Sequence, residues 1–328
     1  MLGKNQKRFI IYFIALIVST LIWHVNYNIF NNTFIICLIL STTTFLIIIT
    51  PFEIYFSFRD LWFQRWGDIA MDSLKIEKVE IPVKDGIIIG KIIRRNLTTN
   101  IKSKKKVVII NPGFSDTKED MQFLSYPLAD QGYTVLVYDS RGTGESKDLG
   151  ERGDFFAKLD DFEDIINWAE NFDPLSDYKI YSIGFSIGAV VSLCRGFSDK
   201  RIKKIIAISA LSNYNENIPK NNPIVFLTYK LKGVKLFLNE LENKKLSPKK
   251  IIKDKKEHLS PEKWVNYSDK VFLIHCKNDK LIKFKNFQEN SEILNLKEEN
   301  KLILKKGGHS LKKDELMLFA SCLRVLNK

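Results

Sequence analysis

The chain has 328 residues, 45% apolar, 27% charged and 12% aromatic, which excludes a disordered or collagen-like polymer and leaves room for one large domain or two small ones. Its 51 Lys and Arg against 38 Asp and Glu give a net charge of +13. No zinc-finger spacing, helix-turn-helix signature or RNA-binding aromatic motif accompanies the basic runs at 104–106, 249–256 and 305–306, so nucleic acid is not an expected partner.

The first elements are apolar. Residues 1–52 hold Lys4, Lys7 and Arg8, no acid, and two runs, 9–25 and 33–52, without Asp, Glu, Lys or Arg. At about 1.5 Å rise per residue each run reaches across a hydrocarbon core of about 30 Å, the first at the short limit. A basic start before an apolar stretch is shared with secretory signals. Trp23, His24, Val25, Asn26 and Tyr27 offer no small-x-small cleavage site, however, and a second run follows at once. A retained transmembrane hairpin over 1–52 is the expectation.

Lys4, Lys7 and Arg8 precede that hairpin, Arg59 and Arg65 follow it, and the turn 26–32 has no cation. Both ends are therefore expected on the cytoplasmic side of a multi-pass membrane protein. Cys37, Cys194, Cys276 and Cys322 agree with a reducing compartment, being far apart with no Cys-x-x-Cys. A juxtamembrane segment, 53–75, carries Tyr55, Phe56, Phe58, Trp62, Phe63 and Trp66. Such rings suit either the headgroup level of a bilayer or packing on the following domain. The lysine excess beyond it reads as a solvated face, or as attraction to an anionic leaflet.

From 76 to 328 short β-branched runs alternate with amphipathic stretches, the pattern of a sheet covered by helices. Strands are expected at 76–83, 87–94, 107–111, 134–139, 179–184, 204–209, 271–275 and 301–304. Helices are expected at 118–131, 158–171, 187–197, 284–294 and 312–326. The first two strands form an antiparallel hairpin closed by Lys84, Asp85 and Gly86, and the later strands are separated by helices as parallel pairing requires. A cap insertion is expected at about 211–268. In it Leu227, Leu231, Val234, Leu238 and Leu241 recur at spacings of 4, 3, 4 and 3, one face of a helix. That face either packs over the site or shapes an acyl-chain pocket or dips into a bilayer.

Candidate chemistry lies at the strand ends. Gly184, Phe185, Ser186, Ile187 and Gly188 form Gly-x-Ser-x-Gly between an apolar strand and a helical run. A sharp turn there lifts a serine oxygen out of the sheet, and the glycines let strand and helix approach. A hydroxyl needs a base. Of four histidines, His24 ends a membrane run, His258 lies in a lysine-rich stretch and His275 is inside an apolar strand. His309 follows Gly307 and Gly308 just after the last strand and is the candidate base. Asp279, just beyond the strand 271–275, is the candidate acid, giving the order Ser186, Asp279, His309. Backbone N–H groups of Phe114 and Ile187 are the candidate oxyanion donors, since Pro112 has none to give.

These motifs resemble the α/β-hydrolase superfamily of serine hydrolases over about 76–328. Asn-Pro-Gly-Phe at 111–114 resembles the family's His-Gly strand end, with Pro112 in place of the histidine. Residues 139–146 are similar to its Asp-x-Arg-Gly-x-Gly-x-Ser turn, read here as structural, its Asp and Arg bonding local backbone. The hairpin is similar to the anchor of some membrane-tethered members. The resemblance implies an α/β-hydrolase fold, an eight-stranded mostly parallel sheet with helices on both faces, preceded by the transmembrane hairpin. It also implies a cofactor-free, membrane-anchored esterase or lipase-like hydrolase acting on a small acyl or lipid-like substrate through an acyl-enzyme. The alternatives are a serine peptidase or aminopeptidase of the same fold and a catalytically silent membrane scaffold.

Overall fold

The computed structural model describes residues 4–67, 71–96, 104–173, 175, 177–218, 226, 229–230, 232–309, 311 and 314–328. The chain divides into two compact units, Met1–Asp68 and Ile69–Lys328.

The first unit is a pair of antiparallel helices, α1 (Lys4–Asn28) and α2 (Phe34–Gly67). Contacts between Arg8 and Glu53, Tyr12 and Phe45, Ser41 and the Ser19 carbonyl, and Trp23 and Phe34 set the register. Small side chains face inward, with Ala15, Ser19 and Cys37 buried, while Phe9, Leu16, Leu21, Ile35, Ile39 and Ile47 are exposed. Both helices are long and apolar enough to cross a membrane, over Arg8–Asn28 and Phe34–Ile54. The aromatic stretch expected as a separate segment from residue 53 instead continues α2 through Pro51 to Gly67. Proline removes one backbone donor, a loss that helices in apolar surroundings absorb by local adjustment.

In the second unit eight strands form one sheet in the order β1-β2-β4-β3-β5-β6-β7-β8. They are β1 (Leu74–Val83), β2 (Gly86–Arg95), β3 (Lys106–Asn111), β4 (Thr134–Tyr138), β5 (Lys179–Phe185), β6 (Ile202–Ile208), β7 (Val271–Cys276) and β8 (Lys301–Leu304). The first two pair antiparallel, β2 meets β4 antiparallel, and every pairing from β4 to β8 is parallel. Successive side chains of a strand face opposite sides. Val107 and Ile109 accordingly enter one core with Phe162, Ile165 and Phe287, while Val108 and Ile110 enter another with Leu124, Leu318 and Cys322. Helices thus cover both faces. Those of the first core are α4 (Phe155–Asn171), α5 (Ile187–Val191) and α9 (Lys285–Leu294), and those of the second are α3 (Gln122–Asp130) and α10 (Glu315–Asn327).

The turn after β4 is structural, as expected, with one difference. Asp139 is buried and accepts from the Lys118 and Glu145 backbone N–H groups, both at 2.8 Å, and from Lys118 Nζ at 2.6 Å. Arg141 reaches past its local backbone to a bidentate pair with buried Asp161 on α4, at 2.6 and 2.5 Å. Hydrogen bonds from Lys118 and Lys78 hold the Glu145 carboxyl down at about 2.

The cap departs from expectation. Leu227 and Leu231 lie outside the described residues, and residues 234–239 are neither helix nor strand. Val234, Leu236 and Leu238 are buried while Phe237 and Leu241 are exposed, so the segment alternates with a period of two. Leu236, buried two residues from both Val234 and Leu238, does not fit a helical series of spacings 4 and 3. Gly233, at φ 75°, breaks any helix there, and the segment is pinned from Tyr214 Oη to the Lys235 carbonyl (2.8 Å) and from Asn215 Nδ2 to the Leu238 carbonyl (2.9 Å). Three short helices follow, α6 (Glu240–Lys245), α7 (Pro248–Glu257) and α8 (Pro261–Ser268).

Candidate active site

Ser186 stands between β5 and α5 with φ 53° and ψ −114°, a conformation uncommon for a residue with a side chain. Its N–H donates to the Ile208 carbonyl of β6 at 2.9 Å. The flanking glycines are required sterically. A Cβ on Gly184 would overlap the backbone of Gly188 and Ala189, and one on Gly188 would overlap the carbonyls of Asn111 and Pro112. The start of α5 is therefore seated directly on the end of β3.

A buried polar network lies behind this turn. Asn111 donates to Ser182 Oγ at 3.0 Å and Ser192 Oγ at 2.7 Å and accepts from Tyr138 Oη at 2.5 Å. Satisfied groups of this kind fix a single arrangement of the elements that carry them. The sequence signal was polar residues, Asn111 and Ser182, inside otherwise apolar strands.

Asp279 follows β7 and is buried. Its Oδ1 accepts the Leu281 and Ile282 N–H groups, each at 2.9 Å, and its Oδ2 lies 2.8 Å from His309 Nδ1. Burial works to raise this carboxyl, but the hydrogen bond and charge of His309, with the two backbone donors, outweigh it and hold the group below its ordinary value. A carboxylate only accepts, so Nδ1 carries the proton and Nε2 is free to accept. That Nε2 lies 3.0 Å from Ser186 Oγ. Gly307 at φ 133° and Gly308 at φ 65° turn the chain after β8, and buried Leu311 anchors it beyond His309. The structure thus brings Ser186, Asp279 and His309 together.

Of the other histidines, one stands beside the candidate acid, with His275 Nε2 3.8 Å from Asp279 Oδ2. His275 is buried and donates Nε2–H to the Ile282 carbonyl at 2.8 Å, and burial lowers its pKa. His258 is exposed and His24 lies in α1.

Phe114 and Ile187 both line the cavity that holds Ser186 and His309. The Ile187 N–H opens α5, where the first amides have no partner within the helix. The Gly113 N–H is already taken, donating to Asp116 Oδ2 at 3.1 Å, so Phe114 is the next amide along this strand end. Asp116 was not singled out in the sequence, where it reads as a turn former three residues beyond a glycine. It lines the same cavity, and burial, then the Asp120 charge, push its pKa up.

The cavity measures about 260 Å³ and its walls are mainly apolar, formed by Phe114, Phe155, Leu211, Tyr214, Ile218, Tyr229, Val234, Leu281 and Ile282. Phe114 packs against Phe155 and Tyr229, with ring centroids 5.7 and 5.5 Å apart. Among the described residues no group of three His, Cys, Asp or Glu side chains is arranged to hold a metal ion.

Residues 102–263 match the family described as Serine aminopeptidase, S33. A polyketide transferase from a Penicillium species is 26% identical over 162 residues, covering 48% of this chain and 53% of that protein. A thiohydrolase of Eupenicillium brefeldianum is 28% identical over 138 residues, covering 42% and 43%. The chain thus spans about half the length of these curated relatives. An esterase from Pyrococcus furiosus shares the fold with a TM-score of 0.51 at 21% identity, over 77% of this chain and 91% of that one. The sheet order, the Gly-x-Ser-x-Gly turn and the family match agree that the chain is a hydrolase with the α/β-hydrolase fold.

Proposed function

We propose that this chain is a membrane-anchored serine hydrolase that cleaves an ester, thioester or related acyl substrate. One observation carries the reading: His309 bridges Ser186 Oγ at 3.0 Å and Asp279 Oδ2 at 2.8 Å through its two ring nitrogens. Ser186 Oγ attacks the carbonyl carbon while its proton passes to His309 Nε2, and Asp279 stabilises the imidazolium. The N–H groups of Phe114 and Ile187 receive the oxyanion. Loss of one such donor typically costs about 10² to 10³ in rate. The tetrahedral intermediate collapses, the leaving alcohol, thiol or amine departs with the proton from His309, and the acyl group stays on Ser186. Water, deprotonated by the same nitrogen, then releases the acid and restores the serine.

The apolar cavity beside Ser186 supports a small-molecule substrate with an apolar acyl portion. The thiohydrolase relative favours a thioester among the acyl substrates. Anchoring is supported by the packing of the helix pair, small residues inside and large apolar ones outside, the reverse of a water-soluble bundle. The distribution of Lys4, Lys7, Arg8, Arg59 and Arg65 supports catalysis on the cytoplasmic side.

The test uses the full chain in detergent. A fluorophosphonate probe and a short-chain p-nitrophenyl ester are expected to react with the wild type, and Ser186→Ala is expected to lose both reactions with an unchanged unfolding midpoint. Labelling retained at another serine overturns the assignment, and a wild type inert to both revives the silent scaffold. The match to Serine aminopeptidase, S33 favours an amide substrate as the second reading. Faster turnover of aminoacyl amides than of esters would establish it.

A further inference from the structure

We infer that Asn278 is a positioning residue, its amide oxygen tying the loop that carries the acid to the loop that carries the base. The inference rests on the roles proposed for Ser186, Asp279 and His309. Asn278 immediately precedes Asp279, and Gly308 immediately precedes His309. The Gly308 N–H donates to Asn278 Oδ1 at 2.9 Å, beside the bond from His309 Nδ1 to Asp279 Oδ2 at 2.8 Å. Two adjacent bonds therefore connect the same two loops, one through the side chains that react and one through a residue that does not. A third bond, from the Lys277 N–H to the Leu304 carbonyl at 2.8 Å, joins the strand ends from which the loops leave.

The Asn278 oxygen is itself held from below. Cys276, fully buried at the end of β7, donates its thiol to the same Oδ1 at 2.8 Å. One oxygen so receives a donor from the sheet and a donor from the base loop, and the position of Gly308 is referred to the core. That reference matters because Gly307 and Gly308 both occupy left-handed backbone, where glycine is freest to move. A single bond to Asp279 fixes the imidazole at one point but not the backbone from which it swings. Asn278 is exposed, so replacing it disturbs little packing. It does not line the substrate cavity, so substrate binding should not depend on it.

The experiment compares Asn278→Leu, nearly isosteric but without an acceptor, Asn278→Ala, and Asn278→Asp, which keeps an oxygen in the same place. In the full detergent-solubilised chain, kcat for a p-nitrophenyl ester is expected to fall about 10- to 100-fold in the Leu and Ala variants with KM little changed, the size of effect that loose placement of a reacting group produces. The Asp variant is expected to keep most of the wild-type rate. Trypsin cleavage after Lys305 and Lys306, exposed at the start of the base loop, is expected to quicken in the Leu and Ala variants and not in the Asp variant. The Ala variant serves where the Leu variant folds poorly, and rates are taken per folded molecule. Wild-type kcat in the Leu and Ala variants, equal losses in all three, or unchanged cleavage would overturn the inference. Quickened cleavage in a chain whose wild type hydrolyses nothing would support the tie while removing the catalytic reading it was meant to serve.

Discussion

Ser186 occupies backbone that its side chain disfavours, at φ 53°, because the turn from β5 to α5 leaves no other route. Such a residue stores about 1–3 kcal/mol, which glycine would release, less about 0.5–1 kcal/mol of glycine's own entropic cost. Ser186→Gly is therefore expected to exceed Ser186→Ala in unfolding free energy by about 1 kcal/mol, measured by denaturant titration. Both lose the hydroxyl, so the difference reports the backbone alone. Equal midpoints would mean that the turn is relaxed. At this scale Ser186 was legible because both glycines sit where a Cβ has no room, and His309 because three other histidines could be set aside. Asp116, Asn278 and the Asn111 network were not. Asn278 and the Asn111 network work through contact with segments far away in sequence, and Asp116, bonded to nearby Gly113, looks like an ordinary turn residue until the cavity is seen.

At the level of elements, the turn after β4 is fastened to the segment before α3 by Lys118, whose ammonium meets Asp139 at 2.6 Å and Glu145 at 2.7 Å while buried. Removing one partner of a buried pair typically costs about 3–5 kcal/mol. Lys118→Met is expected near the lower end of that range, about 3 kcal/mol, since Asp139 keeps its two backbone donors. The pH dependence carries a second signature. Glu145 has its folded value lowered from 4.5 to about 2, so its contribution is present above 4.5 and is lost as pH falls toward 2. In the methionine variant that acid-side slope should flatten. Unfolding curves at several pH values check both, and a variant as stable as wild type with an unaltered slope would show the cluster to be inert. All eight strands were legible within two residues, inner ones such as β3, β4 and β7 because strands covered on both faces read as continuous apolar runs, and β1 because its residues alternate. The cap was not, because Val234 and Leu238, four apart, fit a helix and an extended segment alike, and the burial of Leu236 beside exposed Phe237 decides between them.

For the molecule as a whole, the proposed topology puts the turn between α1 and α2 on one side of a bilayer and the hydrolase unit on the other. The four native cysteines are buried, so an introduced one reports alone. Asn31→Cys, at the exposed turn, is expected to react with a membrane-impermeant maleimide in intact cells. Lys200→Cys, exposed in the hydrolase unit, is expected to react only after permeabilisation. The opposite pattern would invert the orientation, and release of the chain by alkaline carbonate would remove the anchor. Hydropathy made the helix pair legible, whereas the run of α2 to Gly67 was hidden by a proline that usually marks an end.

The proposed nucleophile and acid stand just beyond the ends of β5 and β7, while the proposed base travels on a glycine-led loop with Leu311 as its deep foothold. Chemistry and architecture consequently differ in fragility. A slight loosening of one short stretch would leave a perfectly folded but dormant protein, so whatever grips or frees that stretch commands the output without touching the rest.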